Sequence, residues 1–391
     1  MLPLEGIRIL DLTRLLPGPF CSLMLADLGA EVIKVEDTMV GDYLRWSNTL
    51  ITESQNVNFA AINRNKKSIK LNLKPKEGKE IFTQLITQSD VVLDGFRPGR
   101  LDKLGVGYEA MSKVNPRIIF CAISGYGQDG PYQDRAGHDL NYMALSGFLG
   151  LFGTRDSGPV MPAAQIADIT GAYLATIGIL AAIIGRTQTG RGQFVDISML
   201  DGVWPWMMPF LPQFLNGDAP PQRGGLLLGG ALPCYNVYEC ADGAWLSLGA
   251  LEPQFWVTFC KTAGHEEWID HGRAMDDAAE PTFTAMRAFF KTKTRDAWLA
   301  FFDDADVCLE PVLSLQEALQ HPQNQHRRTM VELELPNYGK VKQIASPLKL
   351  SDITASRLEP SPEYGQHTEE VLRGLGYGAD AIVALREKKI I

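Results

Sequence analysis

Ile7-Arg8-Ile9-Leu10-Asp11-Leu12, a turn at Pro17-Gly18-Pro19, an apolar-periodic stretch over 20–28, and Glu31-Val32-Ile33-Lys34-Val35-Glu36 together decide the fold class. Two short aliphatic runs bracket a segment whose apolar residues recur at helical spacing, which reads as strand, helix, strand. The pattern repeats downstream, with strands expected over 68–73, 91–93 and 118–123 and a helix over 77–87 after Pro75. Strands separated by helices are joined by crossovers rather than hairpins, so the expected sheet is parallel and covered by helices.

Helices are expected over 140–151 and 169–184, and Gly190-Arg191-Gly192-Gln193-Phe194-Val195-Asp196-Ile197 reads as a turn entering another strand. The order is Rossmann-like, but Arg14-Leu15-Leu16-Pro17-Gly18-Pro19 stands where a G-x-G-x-x-G loop would be, so a nicotinamide or flavin cofactor is poorly supported. Beyond Asp201 the composition shifts. Residues 204–230 are rich in Trp, Met, Pro and Gly, as suits a linker or a cavity lining, and Asp242-Gly243 marks a hairpin between 235–240 and 244–248. Helical patterns return at 368–375 and 379–388.

A length of 391 residues implies two domains, and 45% hydrophobic against 21% charged residues implies a sizeable core. A net charge of −9 argues against a nucleic-acid partner. The six cysteines are scattered, with no C-x-x-C, and read as buried free thiols in a reducing cytoplasm. No secretory leader is expected, and the apolar run 172–185 is short for a bilayer and reads as a buried helix.

Three acid/base groups stand at expected helix starts: His138 in Ala136-Gly137-His138-Asp139-Leu140-Asn141-Tyr142, Asp168 before a strongly apolar helix, and Glu252 in Leu251-Glu252-Pro253. Each admits two readings from spacing alone. Asp139, Asp168 and Glu252 are ordinary helix-start residues and His138 a satisfied loop residue, or His138 stands at a helix start that disfavours its protonated form and faces an anion, and Asp168 is a carboxyl tuned toward neutral pH by apolar surroundings. Arg64, Lys66, Lys67, Lys74, Arg97 and Arg100 are surface charge or phosphate ligands. Trp204, Trp206, Met207 and Met208 are core or the wall of an acyl groove.

Taken together, Pro17-Gly18-Pro19-Phe20-Cys21, Leu25-Ala26-Asp27-Leu28-Gly29-Ala30-Glu31-Val32, Phe96-Arg97-Pro98-Gly99, Ser124-Gly125-Tyr126-Gly127-Gln128, the 136–142 motif, Gly190-Arg191-Gly192-Gln193 and Leu251-Glu252-Pro253-Gln254-Phe255 resemble the family III CoA-transferase superfamily, and within it most closely its alpha-methylacyl-CoA racemase branch. The resemblance implies a large CoA-binding α/β domain from 1–200 and 335–391, a linker over 201–230, a small α+β domain and return linker over 231–334, and an interlocked homodimer. It also implies that His138 and Asp168 are bases flanking the α-carbon of an acyl-CoA, with Glu252 orienting His138. Arg64, Leu71, Asn72, Leu73 and Lys74 would contact CoA or substrate, as would Arg97, Arg100, Gly137, Asp139 and Tyr142. No metal or further cofactor is implied, CoA being part of the substrate, and no membrane partner.

The implied reaction is 1,1-proton transfer at the α-carbon of a 2-methyl-branched acyl-CoA, through an enolate held by amides at the start of the Asp168 helix. The alternative is CoA transfer with Asp168 as nucleophile, through an anhydride and an aspartyl-CoA thioester. A tetraglycine loop of such transferases is not reproduced, because Leu226-Leu227-Leu228 separates Gly224-Gly225 from Gly229-Gly230. A non-catalytic acyl-CoA binder is a third class, disfavoured by three filled catalytic positions. One departure stands out: racemases of the family usually carry an arginine for the CoA phosphates where this chain has Asp37.

Overall fold

The computed structural model describes residues 2–47, 49–336, 338–352 and 358–391. The chain divides into two compact units, one of Met1–Ser146, Ala164–Pro205 and Arg328–Ile391, the other of Gly147–Ala163 and Trp206–Arg327.

The first unit is built on six parallel strands, β1 Arg8–Asp11, β2 Glu31–Glu36, β3 Lys66–Lys70, β4 Val91–Asp94, β5 Ile119–Ser124 and β6 Phe194–Ser198, in the order β3-β2-β1-β4-β5-β6. The connecting helices are α1 Pro17–Asp27, α2 Val57–Asn63, α3 Lys76–Thr87, α4 Arg100–Leu104, α5 Tyr108–Val114, α6 Asp139–Leu145 and α7 Ile166–Thr189. Adjacent strand residues serve opposite faces, as the two-residue period requires. Leu10, Ile33, Val92 and Phe120 join Ile81, Phe82 and Leu85 of α3 in one core. Ile9, Val32, Val91 and Cys121 join Leu25 of α1 and Ala172, Ala175, Ile179 and Ala182 of α7 in the other. Both faces being covered explains why these strands read as continuous apolar runs.

Strand order reverses between β1 and β4, which opens a crevice at the carboxyl ends of the strands, the place where such sheets take ligands. The chain end returns to this unit. Leu372, Ile382 and Leu385 enter the α3-side core, and the Asn72 amide donates to the Ile390 carbonyl at 2.8 Å.

The second unit carries the antiparallel sheet β7 Tyr235–Glu239, β8 Trp245–Gly249 and β9 Leu309–Pro311. Its core is aromatic, with Trp256, Phe259, Phe290, Trp298 and Phe302 buried together.

The structure draws the division differently from the sequence in three places. Residues 147–163, and 206–230 expected as a linker, cluster with the second unit, while 328–334 cluster with the first. Strand β10 Met330–Leu335 pairs with β11 Gly339–Ile344, and hydrogen-bonded neighbours bind those residues more tightly than chain order does. The α7 helix is also less buried than expected. It runs for 24 residues and is apolar enough to span a bilayer by length and composition alone. Its small residues meet the sheet, while Tyr173, Ile177 and Ile184 on other faces are exposed. Of the six cysteines, five are buried, Cys308 is exposed and none is paired.

Candidate active site

The site is assembled beyond the end of β5. Ser124 closes that strand, and Gly125 follows with no room for a side chain: a Cβ there would meet the Tyr142 hydroxyl at 2.4 Å. Gly137 is under the same constraint, its virtual Cβ lying 2.7 Å from both the Tyr126 hydroxyl and the Tyr142 ring. Tyr142 is thereby clasped between two backbone segments. Its hydroxyl donates to the Gly137 carbonyl at 2.7 Å, and its ring meets Tyr126 edge-on at 5.1 Å. The glycines flanking the motif serve close approach, and they position the start of α6.

His138 is the N-cap of that helix. Its backbone N–H donates to Asn141 Oδ1 at 3.0 Å and its carbonyl accepts from the Asn141 amide at 2.8 Å. The backbone is held and the residue is exposed, so the imidazole faces solvent from a fixed root.

Asp139 is the first residue of α6, but its carboxylate caps a different helix. Oδ1 accepts from the amides of Ala167 at 2.6 Å and Asp168 at 3.2 Å, two of the orphan donors at the start of α7. The two helix starts are thus joined, and His138 is brought within electrostatic reach of Asp168. The same bonds narrow one expectation: of the amides at the start of α7, those of Ala167 and Asp168 are already engaged by Asp139.

Asp168 lies in the first turn of α7, and its carboxyl is pushed up to about 6. Burial is the main cause, the Asp139 carboxylate adds to it, and His138 opposes both. A carboxyl at that value both takes and returns protons near neutral pH.

The remaining candidates separate into groups. Arg97 and Arg100 are exposed on the segment leaving β4, at the crevice, and Arg97 acts electrostatically on Tyr142. Lys74 is exposed, its amide donating to Asn72 Oδ1 at 3.1 Å. Leu71 is in the core and Leu73 packs against it. Arg64 is corrected outright. It is 2% exposed, with two guanidinium nitrogens on the Asp27 carboxylate at 3.1 and 2.6 Å and a third on Gln343 and the Ile344 carbonyl. Its basic neighbours are committed too. Lys66 donates to the Pro19 carbonyl and Asn63, and Lys67 pairs with Glu31 and Glu370. Sequence spacing shows a basic cluster, whereas burial and partner acids decide that it holds the fold together.

Glu252 belongs to the second unit. It is the exposed N-cap of the helix Pro253–Ala263, its carbonyl accepting from the Phe255 and Trp256 amides at 3.1 and 3.2 Å. Trp204, Trp206 and Met208 are exposed, unlike core residues, and Met207 is buried. Missed from sequence was the capping of α7 by Asp139. The local signal pointed to α6, and only the pairing of distant helix starts reveals the other role. Among the described residues, no group of three or more His, Cys, Asp or Glu side chains could hold a metal.

The family model for CoA-transferase family III matches residues 4–368. The chain is 35% identical to the human alpha-methylacyl-CoA racemase, covering 99% of this chain and 97% of that one. It is 34% identical to the mouse succinyl-CoA:glutarate CoA-transferase (98% and 89% covered) and 34% to a formyl-CoA:oxalate CoA-transferase of Escherichia coli (100% and 99%). Among solved structures, a CAIB/BAIF family protein from Brucella suis superposes with a TM-score of 0.83 at 29% identity, over 96% of this chain and 99% of that one.

Proposed function

The chain belongs to CoA-transferase family III, and from that premise we propose that it isomerises an acyl-CoA by 1,1-proton transfer at the α-carbon, with His138 and Asp168 as the two bases. The observation that supports this reading is the joining of two helix starts by Asp139, which brings an exposed imidazole within electrostatic reach of a carboxyl pushed up to about 6. The α-C–H bond breaks as one base takes the proton, and its electron pair moves onto the thioester as an enolate. The other base then returns a proton to the opposite face. A 2-methyl-branched acyl group is the proposed substrate class, with Arg97, Arg100 and Lys74 meeting the CoA phosphates. As written, the chemistry calls for no metal or redox cofactor.

Near-equal identity to transferases supports a second reading, in which ionised Asp168 attacks the thioester carbonyl, releases CoA thiolate and forms a mixed anhydride. Incubation of acyl-CoAs in deuterated water separates the two. The racemase washes deuterium into the α-position with no acceptor acid present, and His138→Ala lowers that rate by about 10²–10⁴-fold. CoA turnover only with a second acid, without α-exchange, would overturn the racemase.

A homodimer in the cytoplasm is part of the proposal. The exposed apolar residues Tyr173, Ile177 and Ile184 of α7 favour a partner surface, and six unpaired cysteines suit a reducing compartment.

A further inference from the structure

We infer that the adenosine end of the ligand is read at Asp37 as a ribose with free hydroxyls, so that this protein does not favour the 3′-phosphate of CoA and takes 3′-dephospho-CoA thioesters at least as well. The inference rests on the acyl-CoA reading above and specifies the nucleotide end of that ligand.

The segments leaving β1, β2 and β4 start from the carboxyl ends of neighbouring parallel strands, the side on which such sheets take ligands. Asp37 directly succeeds the last residue of β2. In dinucleotide-binding sheets of this topology an acid after this strand accepts from a ribose hydroxyl, whereas a nearby arginine accommodates a ribose phosphate. Asp37 is built to remain an anion. Its Oδ1 accepts from the amides of Met39 at 2.8 Å, Val40 at 2.9 Å and Gly41 at 3.3 Å, and its Oδ2 from Arg14 Nη2 at 2.5 Å. These bonds hold its carboxyl below the usual carboxylate range despite partial burial. With 37% of the side chain exposed, the carboxylate still presents acceptor surface to a ligand.

Three of the surrounding cations do not offset it. Arg14 pairs with Asp37 while lying near the Tyr43 and Phe96 rings, at 4.9 and 5.6 Å from their centroids, so its plane is set by two aromatics. Lys34 is buried, 2.8 Å from Asp42 and donating to the Thr13 carbonyl. Arg45 is buried with two nitrogens on Glu36 at 2.8 and 2.7 Å. Each of these three cations is matched by a carboxylate of the chain. Lys70, ending β3, lies 4.2 Å from the centroid of Tyr364, whose hydroxyl donates to the Asp37 carbonyl. A phosphate dianion arriving here meets a fixed carboxylate and has to break the Arg14–Asp37 pair. A ribose hydroxyl instead donates to Asp37 and leaves the pair intact.

Titration calorimetry of the intact protein with CoA and with 3′-dephospho-CoA tests this. The wild type is expected to bind the two within about threefold of each other, or to favour dephospho-CoA. Asp37→Arg is expected to shift the ratio toward CoA by about tenfold or more, the scale of a charge-assisted hydrogen bond. Asp37→Asn keeps an acceptor for the three turn amides and frees Arg14, and is expected to shift the ratio the same way by a smaller factor. A wild type that prefers CoA more than tenfold, through Lys70 or otherwise, overturns the inference and leaves the acyl-CoA reading standing. Binding of neither compound overturns both.

Discussion

Replacing Asp139 by Asn removes one charge from the site while keeping the atom that caps α7. The asparagine Oδ1 accepts from Ala167 and Asp168 as the carboxylate does at 2.6 and 3.2 Å, so the helix start is retained. The change falls on the field at Asp168. Its carboxyl is raised from 3.8 to about 6, first by burial and second by Asp139. As the second cause, Asp139 contributes less than burial does, so its removal lowers the value, here taken as roughly half a unit to one unit. In the direction where Asp168 takes the proton, the rate follows its ionised fraction. At pH 5 that fraction is about a tenth for a pKa near 6 and about a third for one near 5.3, a roughly threefold gain. The assay is kcat/KM for α-deuterium exchange from both enantiomers between pH 4.5 and 8, with Tm recorded alongside. The acid limb for one enantiomer moves down and Tm stays within about 1 °C. An unmoved limb with an intact fold would show that Asp139 does not tune Asp168, and an upward move would reverse the sign of the argument.

Asp168 also links activity to stability. Its folded pKa lies above the unfolded value of 3.8, so its contribution is full below 3.8 and is lost as pH rises through about 6. Asp168→Asn therefore stabilises the protein at pH 7.5 by about 1–2 kcal/mol, after discounting for solvent access, and changes little at pH 3.5; calorimetric scans at both pH values check this, and equal shifts would contradict it. Arg64→Gln leaves the buried Asp27 carboxylate with the Asn65 amide but without its cation and is expected to cost about 3 kcal/mol of stability by denaturant titration, with KM for acyl-CoA unchanged. A raised KM in folded protein would return Arg64 to the ligand. Gly125→Ala forces a Cβ against the Tyr142 hydroxyl, costing about 1–3 kcal/mol and lowering kcat through the displaced start of α6; full activity would mean the Tyr142 clasp does not position His138.

Much of the first unit was legible in one dimension, because parallel strands buried on both faces leave aliphatic runs that survive there. The stretches 7–12, 20–28 and 31–36 became β1, α1 and β2 with shifts of a few residues at the ends. The helix expected over 140–151 stops early: α6 ends at Leu145, and a short 3-10 turn, Phe148–Leu151, comes after Gly147 at a φ of +81°. Residues 206–230 show no period, so their clustering with the second unit depends on contacts that composition cannot show.

At the site, sequence alone determined which groups are available: a histidine between glycine and aspartate, an acid before an apolar helix, and an acid where a phosphate-binding arginine was expected. These are local identities, and local chemistry suffices to nominate them. Tertiary structure decided what each group is free to do. Arg64 and Lys66 carry the charge expected of phosphate ligands but are held by Asp27, Asn63 and backbone carbonyls. Asp139, a helix-start residue by spacing, caps the helix that carries Asp168 from 28 positions away in the chain. Charge and hydrogen bonding act through space over a few ångströms, so a linear order can name the donors and acceptors but not match them.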